Sequence, residues 1–378
     1  MRTPTRVLVC GTRFGQVYLE AFRGRFPEAG FELAGILAAG SERSQACARR
    51  YGVPLFTDVD QVPDDVDIAC VVLRGKLLGG RGSQIAQALM ARGIHVLQEH
   101  PVHGNELAEC LRVARRHRVV HHLNTFYVHT TTVRRFLAAA RALLASQPVR
   151  YVDASCGFQL AYSLLDILGQ VLGGIRPWAF GPPPDLPARI TRATTLPVPF
   201  RSLDGVLAGV PTTLRVQNQM DPADPDNYAH LMHQVSIGVE SGALRLVGTH
   251  GPIVWTARPE FPREVAGSGA RPHFDSDVPL GPPSAAVLGP AQVPSYPEVF
   301  ATVWPAGVRR ALLELRRAAT GAEDPMRRGQ YHLSLCQLWQ DLTVQLGPPE
   351  LLDTEPAQPL AETDFKAVRE AAEGVTEH

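Results

Sequence analysis

From Arg6 to Phe126 the chain alternates between two hydrophobic rhythms, and this alternation leaves little choice of fold. Arg6–Cys10 is a short apolar run. Gly11 to Gly15 follow, and then Val17, Tyr18, Ala21 and Phe22 recur at helical spacing. Phe31–Ala38 reads as a second strand. Ser41 is placed to cap a helix through Tyr51, which Gly52 and Pro54 end. Ile68–Leu73 carries no charge, as a strand buried on both faces of a parallel sheet requires. A helix over about 83–92 stops at Gly93, and Ile94–Glu99 is the next strand. Asn105 is the expected cap of a helix ending in Arg115, Arg116 and Arg118, and Val119–Phe126 is a further strand. Strand and helix in strict alternation predict a doubly wound parallel sheet of the dinucleotide-binding kind.

Beyond residue 127 the rhythm changes. A helix is expected over about 132–144, then strands at 149–156, 212–220, 231–239, 244–247 and 253–255, with a helix at 162–173 among them. Few helices intervene, so the second half is expected to be α+β with a mostly antiparallel open sheet. Proline-rich stretches interrupt it at 176–200 and 258–296, the second too long for an ordinary connection. A helix near 330–346 and an acidic, weakly patterned tail close the chain. The expected division is 1–126 for the nucleotide, 127–350 for the substrate with the loop 258–296, and 351–378 as tail. At 378 residues the chain exceeds the ~250–300 at which single cores stop growing, consistent with two domains.

Composition removes several function classes. Lysine plus arginine number 37 and aspartate plus glutamate 37, and this balance argues against a general nucleic-acid or membrane-surface binder. No apolar run approaches the ~20 residues of a membrane span, and no signal-like segment precedes the first strand, so a cytoplasmic location is expected. The six cysteines form no C-x-x-C pair and four sit in apolar runs, which reads as buried free thiols. His103, His121, His122 and His129 cluster in sequence, but His121 and His122 must face opposite sides of a strand and no ligand spacing is completed. No metal is expected.

The strand–glycine turn–helix unit at the N-terminus suits a pyrophosphate, through backbone N–H groups at a helix start. Gly11, Thr12, Arg13, Phe14 and Gly15 are its residues; Cys10 and Thr12 stand where G-x-G-x-x-G would have its first two glycines. The second strand runs into Ser41, Glu42, Arg43 and Ser44. Hydroxyls and a guanidinium suit a 2′-phosphate better than a bare ribose, so NADPH is the expected cofactor, with Ser41, Arg43 and Ser44 as its contacts. Leu73 and Arg74, at the end of the charge-free strand, and Glu99 complete the cofactor set.

Ligands of such sheets lie at the carboxyl ends of the strands. The fifth strand delivers Glu99 and His100 there, and the sixth delivers Asn124 and Tyr127. A histidine and a tyrosine at neighbouring strand ends form a plausible proton-donating pair.

With these residues in view the chain resembles the glucose–fructose oxidoreductase and inositol dehydrogenase superfamily. Members usually carry Glu-Lys-Pro at the end of the fifth strand, where this chain has Glu99-His100-Pro101. It is more closely similar to the thiazolinyl imine reductases of siderophore assembly lines. The segments concerned are Gly11–Phe22, Leu37–Ser44, Gln98–Pro101 and Asn124–His129, with Tyr162–Asp166 and Gly251–Trp255 further on. That resemblance implies NADPH-dependent reduction of a thiazoline C=N bond to a thiazolidine. It implies a substrate tethered to a carrier domain of a nonribosomal peptide synthetase, which is then the expected partner, with a homodimer as the candidate assembly. It points to Tyr127 and His100 as the catalytic pair, and to Asp166 as a substrate residue on a helix facing the site. Tyrosine stays protonated at neutral pH whereas histidine mostly does not, which favours Tyr127 as donor.

Two other readings compete. A sugar or cyclitol dehydrogenase of the same fold wants a base at the lysine position, and only Lys76 and Lys366 exist. A non-catalytic NADP-binding sensor or scaffold would bind the cofactor and turn nothing over.

Overall fold

The computed structural model describes residues 4–23, 30–74, 80–224, 229–259, 283–353 and 358–375. Six parallel strands form the first sheet: β1 (Thr5–Cys10), β2 (Phe31–Leu37), β3 (Leu55–Phe56), β4 (Ile68–Val71), β5 (His95–Glu99) and β6 (His121–Asn124). Their spatial order is β3-β2-β1-β4-β5-β6, so the chain winds outward both ways from β1 and the crevice between β1 and β4 opens at their carboxyl ends. The helices between them are α1 (Gly15–Glu20), α2 (Glu42–Tyr51), α3 (Gly82–Ala91) and α4 (Gly104–His117). Ser41 caps α2 as expected, accepting from the Ser44 amide, and Gly52 closes it in the left-handed conformation. The cap of α4 is His103, whose ring nitrogen accepts from the Asn105 amide; Asn105, the expected cap, lies inside the helix.

A linking helix, α5 (Thr131–Leu144), leads into the second sheet. Its strands and the helices among them are β7 (Tyr151–Gly157), α6 (Ala161–Leu172), β8 (Trp178–Phe180), α7 (Ala188–Ala193), β9 (Phe200–Leu207), β10 (Val210–Gln217), β12 (His233–Val239), β13 (Gly242–Leu246), β14 (Ile253–Ala257) and β15 (Ala285–Val287). They lie in the order β15-β14-β13-β12-β7-β10-β9-β8, antiparallel except between β7 and β10. A short strand β11 (Gln219–Met220) pairs separately with β16 (Glu350–Leu351). The stretch 176–200 therefore contains β8 and α7, and of the loop 258–296 residues 260–282 lie outside the described residues.

A one-turn helix α8 (Tyr296–Glu298) leads through a wider turn at Val299–Val303 into α9 (Trp304–Ala319), followed by α10 (Pro325–Leu346). Sequence reading missed α9, because Pro305 and Gly307 look like breakers. Proline in the first helical turn costs nothing, and Val308, Ala311, Leu312 and Leu315 then fall on one buried face. Helix α9 packs on α1 and on β5 and β6 of the first sheet, while α10 joins α4 and β6 to α6. The C-terminal segment thus clamps the two sheets through one continuous apolar core. The tail includes α11 (Glu362–Glu373), none of whose residues is buried. No described helix is long and apolar enough to cross a membrane.

Candidate active site

The glycine turn after β1 is shaped by close backbone contact. Gly11 has φ +100°, and a Cβ there would lie 2.5 Å from the Val72 carbonyl oxygen and 3.0 Å from Leu73. Only glycine fits a left-handed residue pressed against the neighbouring strand. No side chain caps α1. The amides of Thr12, Arg13 and Phe14 donate to no protein group among the described residues. Thr12 and Gly15 are buried and Arg13 is exposed. These free donors beside Leu73 and the exposed Arg74 fit a pyrophosphate-bearing dinucleotide.

At the end of β2, Ser41 and Arg43 are exposed. Ser44 is placed differently from its expected role. It is fully buried, and its hydroxyl donates to the Ser41 carbonyl at 2.7 Å, so it belongs to the helix cap.

The carboxyl ends of β5 and β6 hold a compact polar cluster. Glu99 accepts from the Tyr18 hydroxyl and from Asn124 Nδ2 at 3.3 Å. Burial first, and then Glu99, push the Tyr18 phenol well above its ordinary pKa, so it stays a donor. His100 Nδ1 lies 2.9 Å from Glu99 Oε1 and 3.0 Å from the Asn124 carbonyl oxygen. Both neighbours accept, so Nδ1 carries the proton and Nε2 is the nitrogen left for chemistry. The His100 ring stacks on Tyr162 of α6.

Asn124 was expected to meet substrate. It is fully buried instead: its Nδ2 also donates to Tyr18 Oη at 2.5 Å, and its Oδ1 accepts from the Phe126 amide at 3.1 Å. Phe126 has φ 63° and ψ −65°, and the Tyr127 amide donates to the Thr125 carbonyl at 2.7 Å. This is a γ-turn of the strained sign, at a bulky residue. Asp166, the other expected substrate residue, is 1% exposed and is spent on the same turn. Its Oδ2 accepts from Thr125 Oγ1, and its Oδ1 accepts from Tyr331 Oη at 2.8 Å and from Gln170 Nε2 at 3.2 Å. Both residues brace the chain that presents Tyr127.

Tyr127 is buried, its ring edge-on to Phe126 and, at 4.8 Å between centroids, to His233. His233 escaped sequence reading because it lies more than a hundred residues away on β12. It is fully buried, with Nε2 2.8 Å from Ser163 Oγ and Nδ1 3.0 Å from Thr249 Oγ1. Burial, with the nearby charges of His100 and His250 against one backbone bond, lowers its pKa to about 3, so the ring is neutral. Phe14, from the glycine turn, meets Phe126 at 5.2 Å and Trp304 of α9 at 5.8 Å. The arrangement offers a glycine turn with free amides at one end and, at the other, a tyrosine and a tautomer-fixed histidine beside an aromatic cluster. Among the described residues no group of His, Cys, Asp and Glu is disposed to hold a metal, and all six cysteines are buried and unpaired.

Comparison with known proteins agrees with this layout. Residues 5–125 match the model of an oxidoreductase family with an NAD-binding Rossmann fold. Residues 147–256 match the C-terminal model of Irp3-like thiazolinyl imine reductase. No curated protein matches by sequence. Among solved structures the chain is similar to KijD10, a 3-ketoreductase from Actinomadura kijaniata in complex with NADP and TDP-benzene. That similarity has a TM-score of 0.63 and 15% identity over 93% of this chain and 100% of that one. GenD2 from gentamicin A biosynthesis, in complex with NAD, gives 0.60 and 15% over 90% and 93%. A biliverdin reductase from Synechocystis, with biliverdin and NADP+, gives 0.57 and 16% over 91% and 99%. At such identities the structures speak for the fold, while the two sequence models speak for ancestry. Together they place the chain in the glucose–fructose oxidoreductase, inositol dehydrogenase and MocA family of NAD(P)-dependent oxidoreductases, as a member with an Irp3-like C-terminal domain.

Proposed function

We propose that the protein reduces the C=N bond of a thiazoline ring to a thiazolidine with NADPH, on an intermediate tethered to a carrier domain of a nonribosomal peptide synthetase. The observation that carries this reading is the Irp3-like match over 147–256, which spans His233 and the strands packed behind Tyr127. When bound, NADPH supplies the hydride for the ring carbon. Gly11–Gly15 would hold its pyrophosphate, and Ser41 and Arg43 its 2′-phosphate. As the ring carbon is reduced, the C=N π pair moves onto nitrogen and takes up a proton. A ring imine is a weak electrophile until that nitrogen is protonated or hydrogen-bonded, so the site needs a positioned acid. Tyr127 is the donor in this reading. His100 is its partner, or the alternative donor through Nε2, since Nδ1 is fixed by Glu99 and the Asn124 carbonyl.

In this reading the burial of Phe126, Tyr127 and His233 limits water around the donor. The polyol dehydrogenase reading loses support because His100 occupies the position of the family's lysine, and Lys366 is an exposed residue of α11. Incubating the enzyme with a thiazoline thioester and NADPH, and following both NADPH loss and the thiazolidine by mass, tests the proposal. Cofactor consumption with polyols but none with the thiazoline would overturn it. A lower KM for the carrier-bound form than for a short thioester would support the tethered substrate.

A further inference from the structure

Outside this cluster a cavity of about 510 Å³ lies between α5, α6, α9 and α10. We propose that it is a binding site for a small, doubly charged oxyanion of the phosphate-monoester class. It is set apart from the cofactor turn. Trp304, at the start of α9, touches Phe14 of that turn, whereas the cavity is reached at Arg310 and Glu314, roughly 9 and 15 Å further along the helix axis at 1.5 Å per residue.

Its charge is strongly one-sided. Arg134 and Arg141 are two turns apart on one face of α5, and both line the cavity. Neither forms an ion pair or side-chain hydrogen bond with a described residue, and both are exposed. Arg310 and Arg328 come from the opposite wall and share one carboxylate, Glu314, at 3.0 Å and 3.1 Å. Asp166 also borders the space, but its oxygens are taken by Thr125, Tyr331 and Gln170. Four guanidinium groups thus face two carboxylates, both already satisfied.

Three of the bordering residues carry polar atoms with no partner among the described residues. Arg328 Nε, His129 Nε2 and His332 Nδ1 are buried without a hydrogen-bond partner among the described residues. His129 is 6% exposed and His332 5%. Buried polar atoms are normally paired, and these three unpaired ones belong to residues that border the basic cavity. A tetrahedral oxyanion supplies that many acceptors, and guanidinium forks match its geometry.

Inorganic phosphate is the probe. Titration calorimetry at fixed ionic strength would compare the full-length protein, Arg134→Ala/Arg141→Ala and Arg43→Ala. Both arginines of the double variant are exposed on α5, and circular dichroism would verify that it folds. The expected result is phosphate binding weakened about tenfold or more in the double variant and unchanged in Arg43→Ala. Absence of phosphate binding to the wild type would overturn the proposal. So would binding that survives in the double variant, and loss in Arg43→Ala alone would assign the heat to the cofactor's own phosphate site.

Discussion

The imidazole of His100 stacks on the phenol of Tyr162, with ring centroids 5.6 Å apart and planes 30° apart. That contact joins the last residue delivered by β5 to the first turn of α6, so the reacting end is assembled where the two sheets meet. Behind the ring, Tyr162 Oη lies 3.2 Å from Cys336 Sγ, whose thiol donates to the Val102 carbonyl, and α10 is tied to the same point.

Tyr162→Phe keeps the stack and loses one hydrogen bond, so its turnover should stay close to wild type. Tyr162→Leu removes the ring face from His100, and Tyr162→Ala adds a cavity that should cost about 3–5 kcal/mol. Urea melts and kcat on a thiazoline substrate separate these effects. Unchanged kcat in Tyr162→Leu would show that the stack does not orient His100.

Tyr127→Phe should lower kcat by ~10²–10⁴ while cofactor still binds. If His100 is the donor, His100→Ala shows the larger loss. Rates of both variants across pH, with cofactor binding measured by fluorescence, distinguish the two. Small and equal losses would mean that water delivers the proton.

Arg43 and Ser41 stand exposed where a 2′-phosphate would lie. Arg43→Ala should weaken NADPH by roughly ten- to a hundredfold, or about 1.5–3 kcal/mol, and leave NADH unaffected. Equal affinity of the wild type for the two cofactors would remove the basis for this preference.

Asp166 and Thr125 brace the strained turn at Phe126. Thr125→Val leaves one Asp166 oxygen without its donor and should cost about 1–3 kcal/mol of stability. Because that turn aims Tyr127, kcat should fall more than KM rises, and Thr125→Ser should restore both. A loss of stability with unaltered kcat would make the bond structural only.

Acid should unfold the protein early. Burial lowers the pKa of His121 to about 3, of His122 to about 2 and of His233 to about 3, with smaller effects from neighbouring charges. Below about pH 6.5 the unfolded chain binds these protons and the native chain does not. Stability therefore falls with pH, by ~1.4 kcal/mol per unit for each ring, down toward the native values. Neither nitrogen of His122 has a partner among the described residues, so His122→Leu should flatten the slope by one proton without lowering stability at neutral pH. Urea titrations from pH 7 to about 5 would record it; an unchanged slope would mean that His122 already titrates normally in the native state.

The parallel sheet was legible in the sequence because its code is local. Charge-free strands, the Ser41 cap and the glycine stops each act within a few residues, and the observed helices start and end within a few residues of where those signals place them. Local chemistry also put Glu99, His100 and Tyr127 at strand ends. What those ends contain was decided by contacts no local pattern records. The carboxylate of Glu99 is claimed by Tyr18 from eighty-one residues away, and that of Asp166 is held by Thr125 and Tyr331. His233 meets Tyr127 only because β12 pairs with β7, and Trp304 reaches Phe14 only because α9 folds back onto the first sheet. Buried polar groups must find partners wherever the packed chain brings them, and that requirement is settled by tertiary structure alone.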